Sequence, residues 1–360
     1  MAAPHGPAVS PNPAVGCVLL SEDRIVAEGV TEPPPGAHAE VVALRAAGPA
    51  ARGATAVVTL EPCAHHGRTP PCTDALVAAG VSRVVIGHLD PHPAARGGAR
   101  RLADAGIEVV GPALVGDAFR GTVAGALEGF LHLAQHGRVH VTLKLARTAD
   151  GGVTNPSGAR WVTGAAARRA VHRWRAAVDG VLVGIGTVLA DDPRLDVRDV
   201  PDAAAAHQPR GVVLDGDVRM PVTAQLARPG TVLVAANARP GTPPAGARAH
   251  RAAQLEARGV LVRWVAPGPG GRGVDLAAAL SALTELGMVS LLAEPGPTLA
   301  GALLDAELVD RLVLHVAVGL GDGPLHGALS PPPGAAWRTE RSGGAGGDAI
   351  VHLLPPTVGS

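Results

Sequence analysis

The chain has 360 residues, long enough for two domains of ordinary size, and 47% of them are hydrophobic. Its formal net charge is zero, which argues against a protein that binds nucleic acid or a membrane surface through a basic patch. Residues 1–13 contain no apolar core flanked by basic residues, no apolar run reaches membrane-spanning length, and three cysteines are too few for a disulfide framework. We therefore expect a cytoplasmic protein.

Short apolar runs alternate with alanine-rich stretches in the first half of the chain. This alternation predicts a layered α/β domain. The predicted strands cover 15–20, 24–27, 56–60, 83–87 and 107–110, and the predicted helices cover 40–47, 73–79, 102–105 and 123–134. We place a domain boundary after residue 137, giving domains 1–137 and 138–360.

The second half restarts with a strand and is again α/β in pattern. Its predicted strands cover 140–145, 181–184, 211–214, 231–235 and 289–293, with helices between them. Residues 201–209 and 239–248 are predicted surface loops.

One histidine and two cysteines in the first half form a candidate metal site. His38 is followed two residues later by Glu40, and Cys63 follows a proline and precedes Cys72. Three protein ligands leave one tetrahedral position open for water, which is typical of a catalytic zinc. The His-x-Glu and Pro-Cys pattern is that of zinc deaminases, in which the glutamate moves protons.

The spacing of the two cysteines departs from the usual zinc-deaminase pattern. Eight residues separate Cys63 from Cys72, whereas the usual motif has two. The alternative interpretation is that these are unrelated thiols and surface residues. Cys17 lies in the apolar run 15–20 and is predicted to be a core residue.

The segment from Glu61 to Cys72, preceded by Pro11-Asn12-Pro13 and His38-Ala39-Glu40, closely resembles the bifunctional deaminase–reductases of riboflavin biosynthesis. The resemblance covers nearly the whole chain, and the expanded cysteine spacing is specific to that family. It implies a three-layer domain similar to cytidine deaminase, followed by a domain similar to dihydrofolate reductase.

The resemblance implies that the first domain hydrolyses an amino group from 2,5-diamino-6-ribosylamino-4(3H)-pyrimidinone 5′-phosphate. It assigns Zn²⁺ to His38, Cys63 and Cys72, and the proton shuttle to Glu40. The implied substrate contacts are Asn12, His65 and Arg68. A guanidinium suits a phosphate because it can donate two parallel hydrogen bonds, although a solvated loop is the alternative for 65–68.

The resemblance implies a second reaction, in which NADPH reduces the ribosyl group of 5-amino-6-(5-phosphoribosylamino)uracil to ribityl. Lys144 is the only lysine in the chain and lies in an apolar strand, so we expect a catalytic ammonium facing a cleft. The implied substrate contacts are Arg175, Leu195, Arg198 and Glu294. The implied NADPH contacts are Trp161, Thr163, Thr187, Asp191, Gly296, Pro297 and Thr298.

The turn 294–298 lies between a predicted strand and a predicted helix, and Thr298 is the expected N-cap of that helix. One departure from the family concerns Thr31, which stands seven residues before His38, where a histidine is common. The expected partners are phosphorylated pyrimidines and a second copy of the chain, bound through the reductase domain, with no nucleic acid and no membrane.

Two other functions stay open at the level of sequence. The second domain could be a binding module without reductase activity, since its carboxy-terminal segment departs from the family. A nucleic-acid deaminase is disfavoured by the neutral charge and the 2% aromatic content, because such enzymes need basic grooves and stacking side chains.

Overall fold

The computed structural model describes residues 6–66, 70–93, 95–152, 155, 157–158, 161–200, 207–242, 244–318, 320 and 337–355. The chain forms two compact units, Met1–Arg138 and Val139–Ser360. Within the described residues, no helix has both the length and the apolar character needed to cross a membrane.

The first unit is an α/β layer structure around one sheet. Its strands are β1 Gly16–Ser21, β2 Arg24–Val30, β3 Thr55–Val58, β4 Arg83–Ile86 and β5 Glu108–Val110. Its α-helices are α1 Ala39–Ala47, α2 Cys72–Ala78, α3 Gly98–Asp104, α4 Asp117–Ala126 and α5 Glu128–His136. Short 3₁₀ turns cover Gly6–Val9, Gly48–Ala51 and Pro112–Leu114.

The sheet of the first unit has the described order β2-β1-β3-β4-β5. β1 runs antiparallel to β2 and β3, whereas β3, β4 and β5 are parallel. The hairpin between β1 and β2 turns at Glu22 and Asp23, whose φ angles of 48° and 58° match the turn that suits twisted strands. Small and branched apolar side chains, including Cys17, form the buried core.

The second unit contains a larger sheet. Its strands are β6 His140–Thr148, β7 Gly180–Gly184, β8 Arg210–Leu214, β9 Thr231–Ala236, β10 Leu261–Val265, β11 Ser290–Ala293, β12 Arg311–Ala317, β13 Arg338–Ala345 and β14 Asp348–Leu354. Its α-helices are α6 Ala165–Arg175, α7 Ile185–Asp191, α8 Ala247–Glu256, α9 Leu276–Glu285 and α10 Pro297–Asp305. A 3₁₀ turn covers Pro269–Gly271.

The described strands of this sheet follow the order β10-β9-β8-β7-β11-β6-β12-β14-β13. The strands from β10 to β12 are parallel, and β14 and β13 add an antiparallel edge. β11 lies between β6 and β7, and the chain leaves β7 toward β8 on one side of the sheet but leaves β11 toward β12 on the other. Such a switch point, at the carboxyl ends of the strands, is where open α/β sheets bind ligands.

The α/β class expected from the sequence is confirmed, and two local predictions are wrong. The helix predicted over 123–134 is two helices, α4 and α5, which break at Leu127. Gly125 and Gly129 flank the break, and glycine weakens a helix. Helix α10 has Gly296, not Thr298, at its N-cap, because Pro297 has the fixed φ that favours the first helical position.

Candidate active sites

The three predicted metal ligands are brought together by the starts of two helices and one loop. His38 occupies the N-cap position of α1, Cys72 is the first residue of α2, and Cys63 lies in the loop that follows β3. Both cysteines are buried and His38 is half-buried. The eight-residue spacer therefore returns the second cysteine to the first, as the sequence prediction requires.

The geometry of these donor atoms suits a tetrahedral zinc. The three donors lie within 4.8 Å of one another, with His38 Nδ1 3.2 Å from Cys72 Sγ and 3.7 Å from Cys63 Sγ. Two ligands of one tetrahedral zinc should lie about 3.6 Å apart, given Zn–N and Zn–S bonds of about 2.1 and 2.3 Å. The two sulfur atoms also influence each other strongly. A hydrogen bond from Cys72 lowers the pKa of Cys63 to about 4, and the same contact raises the pKa of Cys72.

Glu40 lies in the first turn of α1, beside this cluster. Glu40 is only 3% exposed, and burial raises the pKa of its carboxyl above the ordinary value. The negative charge of Glu40 also raises the pKa of the Cys72 thiol, so the carboxylate is close enough to interact electrostatically with the metal ligands. A buried carboxyl with a raised pKa is suited to taking and returning a proton.

A cavity of about 370 Å³ opens on the cluster. Two predicted substrate contacts, Asn12 and His65, lie on its wall together with His38, Glu40 and Cys63. Arg68, the third predicted contact, lies outside the described residues. The wall also includes four residues to which the sequence gave no role, and they are Asp90, His92, Phe130 and Glu61.

Thr31 also lies on the cavity wall but is used by the fold. It is buried, and its hydroxyl accepts a hydrogen bond from the backbone of Val15 at 3.2 Å. Its backbone N–H in turn donates to Val15 O at 3.0 Å. Where a histidine is common in the family, this chain has a side chain that ties the end of β2 to the start of β1.

Glu61 holds the loop that presents Cys63. Its buried carboxylate accepts backbone hydrogen bonds from Asp90, Gly97 and Ala99 at 3.1, 3.0 and 2.9 Å. These bonds tie the loop after β3 to the loop after β4 and to the start of α3. The only trace of this role in the sequence is a glutamate beside a Pro-Cys pair, and its partners are about 30 or more residues away along the chain.

In the second unit, the side chain of Lys144 lies on the face of β6 opposite the hydrophobic core in which its neighbours pack. Its neighbours Leu143 and Leu145 pack in that core, and side chains alternate along a strand. Burial lowers the pKa of Lys144, while Glu294 raises it and Arg175 lowers it. Lys144 forms no hydrogen bond or ion pair with the described part of the chain.

Arg175 and Glu294 lie close to Lys144 and bind each other. Arg175 donates from Nε and Nη2 to the two carboxylate oxygens of Glu294 at 2.7 and 3.0 Å. Its Nη1 donates to the carbonyl of Asp196 at 3.1 Å, and the carboxylate of Asp196 pairs with Arg198 at 2.5 Å. The structure thus links three of the four predicted substrate contacts in one polar network, through Asp196, which the sequence interpretation missed.

The fourth predicted contact, Leu195, has a different position. Its side chain is 4% exposed and packs in a core cluster, while its φ of 55° lies in the left-handed region. The side chain therefore does not face the cleft. This strained turn orients the neighbouring Asp196 toward Arg175.

The two predicted cofactor turns lie side by side at the switch point. A Cβ placed on Gly296 would lie 3.7 Å from Thr187 Oγ1, and a Cβ on Gly184 would lie 3.3 Å from Leu299. Pro297 and Thr298 are exposed at the start of α10. The glycines let the two turns approach each other closely. The free N–H groups at the start of α10 fit a phosphate group of a dinucleotide.

The remaining predicted cofactor contacts are dispersed. Trp161 is 48% exposed and lies under the Arg168 guanidinium at 5.4 Å. Thr163 is buried and its carbonyl accepts a hydrogen bond from Arg168. Asp191 is exposed at the end of α7.

His315 was missed and is unusual. It is fully buried, and neither ring nitrogen has a partner within the described chain. Register places it beside Ala146, diagonal to Lys144, and its ring meets Trp174 edge-on at 5.1 Å. Burial, with Lys144 and His352 nearby, lowers the pKa of His315 to about 3, so the imidazole is neutral at ordinary pH.

Comparison with known families agrees with this division into two sites. Residues 3–88 match the cytidine and deoxycytidylate deaminase zinc-binding region, and residues 139–326 match the RibD C-terminal domain. The chain is 40% identical to riboflavin biosynthesis protein RibD of Mycobacterium tuberculosis over 96% of this chain and 91% of that protein. It is 39% identical to RibD of Escherichia coli over 96% and 94%.

The chain belongs to the RibD family. It is similar to the solved Acinetobacter baumannii RibD, with a TM-score of 0.78 and 33% identity over 98% of this chain and 96% of that one. A Thermotoga maritima structure, named as a diaminohydroxyphosphoribosylaminopyrimidine deaminase/5-amino-6-(5-phosphoribosylamino)uracil reductase, has a TM-score of 0.78 and 29% identity over 98% and 95%. As a RibD protein, the chain is a bifunctional deaminase and reductase of riboflavin biosynthesis. Its cofactors are zinc and NADPH.

Proposed function

We propose that the first unit removes an amino group from 2,5-diamino-6-ribosylamino-4(3H)-pyrimidinone 5′-phosphate, and that the second reduces the ribosyl group of the resulting uracil to ribityl. The observation that carries this proposal is the buried donor set of His38, Cys63 and Cys72 with Glu40 beside it, on a cavity of about 370 Å³. The Thermotoga relative, whose name contains both activities, supports the substrate assignment.

The deamination is a hydrolysis. Zinc held by His38, Cys63 and Cys72 would supply an activated water as nucleophile. Glu40 takes a proton from that water and gives it to the departing amino group, so that a C–O bond forms, the C–N bond breaks and ammonia leaves. Asn12 and His65, on the wall of the same cavity, hold the pyrimidine, and Arg68 is proposed for its phosphate.

The reduction adds one hydride and one proton to the sugar. Thr187 and the turn Gly296–Thr298 would hold NADPH, which would supply the hydride, and Trp161, Thr163 and Asp191 would be further contacts. Lys144 holds the sugar oxygen, because its ammonium has no partner in the described chain. Arg175, Arg198 and Glu294 hold the ribose phosphate through their shared network, and Leu195 precedes Asp196, which belongs to that network.

The two activities are assigned to domains 1–137 and 138–360, and we propose a cytoplasmic homo-oligomer formed through the reductase domain. The test is incubation of the chain with the diaminopyrimidine ribosyl phosphate, with and without NADPH, while ammonia and NADPH oxidation are followed. Ammonia release in both arms and NADPH oxidation in one support the proposal. Ammonia release without NADPH oxidation in a folded chain would contradict the reductase assignment and favour a binding module as the second unit.

A further inference from the structure

Phe130 is an aromatic residue on the wall of the deaminase cavity. The chain has two phenylalanines, four tryptophans and no tyrosine. Among the described residues on the cavity wall, Phe130 is the one aromatic hydrocarbon ring. In a chain that builds its cores from alanine, valine and leucine, an aromatic ring at this position needs an explanation.

Helix α5 fixes Phe130 at the cavity from one side. Leu127, just before the helix, and Leu131, within it, are buried in the core of the first unit, with exposures of 1% and 8%. Phe130 is only partly buried and packs against that core. Its side chain therefore lies between the core and the cavity.

The residues on the cavity wall offer reacting groups, polar atoms and apolar surface. His38, Glu40 and Cys63 provide the reacting groups, and Asn12 and Asp90 provide polar atoms for ring edges. A planar pyrimidine also has two faces, which need apolar contacts. Prolines, Val15 and Leu60 supply aliphatic surface, but stacking on an aromatic ring contributes about 1–3 kcal/mol per base.

We propose that Phe130 stacks on the pyrimidine ring and sets the affinity of the deaminase site for its substrate. This inference rests on the proposed deaminase function. Phe130 contributes binding in the ground state and in the transition state alike, because its hydrocarbon ring can neither give nor take a proton. Its loss should therefore act on KM rather than on kcat.

The experiment uses the full chain with Phe130→Leu and Phe130→Met, which remove the ring and keep apolar volume, and Phe130→Trp, which keeps a ring. Gln135→Ala, at an exposed position of the same helix, is the matched control. Deamination kinetics, zinc content and the reductase rate with the deaminated substrate are measured. The reductase rate reports that each variant is folded in the second unit, and the zinc content reports on the first.

We expect Phe130→Leu and Phe130→Met to raise the deaminase KM by roughly 5- to 150-fold, with kcat within about threefold, and Phe130→Trp to stay near wild type. Zinc content and reductase rate should not change. A wild-type KM in Phe130→Leu would overturn the inference alone, as would a KM effect accompanied by zinc loss, which indicates a structural role. Absence of deamination by the wild-type chain would instead overturn the proposed function.

Discussion

Arg175 and Glu294 form a two-point ion pair that joins helix α6 to the end of strand β11. The two N···O distances are 2.7 and 3.0 Å, and the side chains are only 11% and 15% exposed. Burial alone would raise the pKa of Glu294, but Arg175, together with Lys144 and His172, lowers it below the ordinary value. The pair therefore keeps a carboxylate charged beside Lys144, at the point where substrate and cofactor are proposed to meet.

Replacing Glu294 by Gln should weaken the second unit as well as its activity. Arg175 would be left as a buried cation without its partner, which costs about 3–5 kcal/mol in known buried pairs. We expect a lower melting temperature and at least a tenfold loss of reductase kcat/KM, with deamination unchanged. Glu340→Gln is the control, since Glu340 pairs with Arg311 at the sheet edge and should affect neither activity. A wild-type reductase rate in Glu294→Gln would contradict the assigned role.

The zinc site should be needed for deamination and not for reduction. Cys72→Ser is expected to lower bound zinc well below one equivalent and to abolish deamination, because one of three ligands is lost. Cys17→Ala should keep zinc and deamination, since Cys17 is a fully buried core residue outside the ligand set. Metal analysis with both activity assays checks this. Equal zinc loss in the two variants would argue against the ligand assignment.

Glu40→Gln tests the proton shuttle. Glutamine keeps the size and polarity of the side chain but cannot carry a proton, so zinc should be retained while deamination falls by about 10²- to 10⁴-fold. The reductase rate with the deaminated substrate should be unchanged and serves as the folding control. Full deamination by Glu40→Gln would refute the role.

The pH dependence of the reductase should report Lys144. Burial lowers the pKa of its ammonium below the ordinary 10.5. The charged form is complete below the lowered pKa and is lost as the pH rises through it, so the reductase rate should fall at alkaline pH with a midpoint below 10.5. Lys144→Arg keeps its charge throughout, so any residual activity should lack this alkaline fall. An alkaline fall of unchanged position in Lys144→Arg would point to another group.

His315→Phe is expected to stabilise the protein. The substitution removes two buried ring nitrogens that have no partner in the described chain, and an unmade buried hydrogen bond costs about 1–3 kcal/mol. Because the pKa of His315 is about 3 in the fold and the ordinary value is 6.5, the unfolded chain binds the extra proton between these values. Stability should therefore fall as the pH drops from 6.5 toward 3, and His315→Phe should reduce that fall.

Thermal melts across this pH range check the prediction. His250→Gln is the control, because His250 is exposed on helix α8 and should leave the pH profile unchanged. A lower melting temperature for His315→Phe at neutral pH would contradict the prediction and show that the ring nitrogens of His315 form hydrogen bonds in solution.

The sequence by itself determined the α/β class, ten of the described strands to within a few residues, and the candidate zinc ligands. It could do so because the apolar periodicity is local and because His38, Glu40, Cys63 and Cys72 form a motif whose spacing restricts the chemistry. The position of Cys17 in an apolar run likewise predicted its burial, which the structure confirms.

The tertiary structure decided what depends on distant partners. Glu61 finds its three backbone donors 29 to 38 residues away, and Arg175 finds Glu294 119 residues away, so no local pattern could reveal either contact. Strand register placed His315 diagonal to Lys144, and the packing of the first unit placed Phe130 on the cavity wall. Burial, charge and pKa follow from these long-range contacts, because they depend on which groups surround a side chain rather than on which residues precede it.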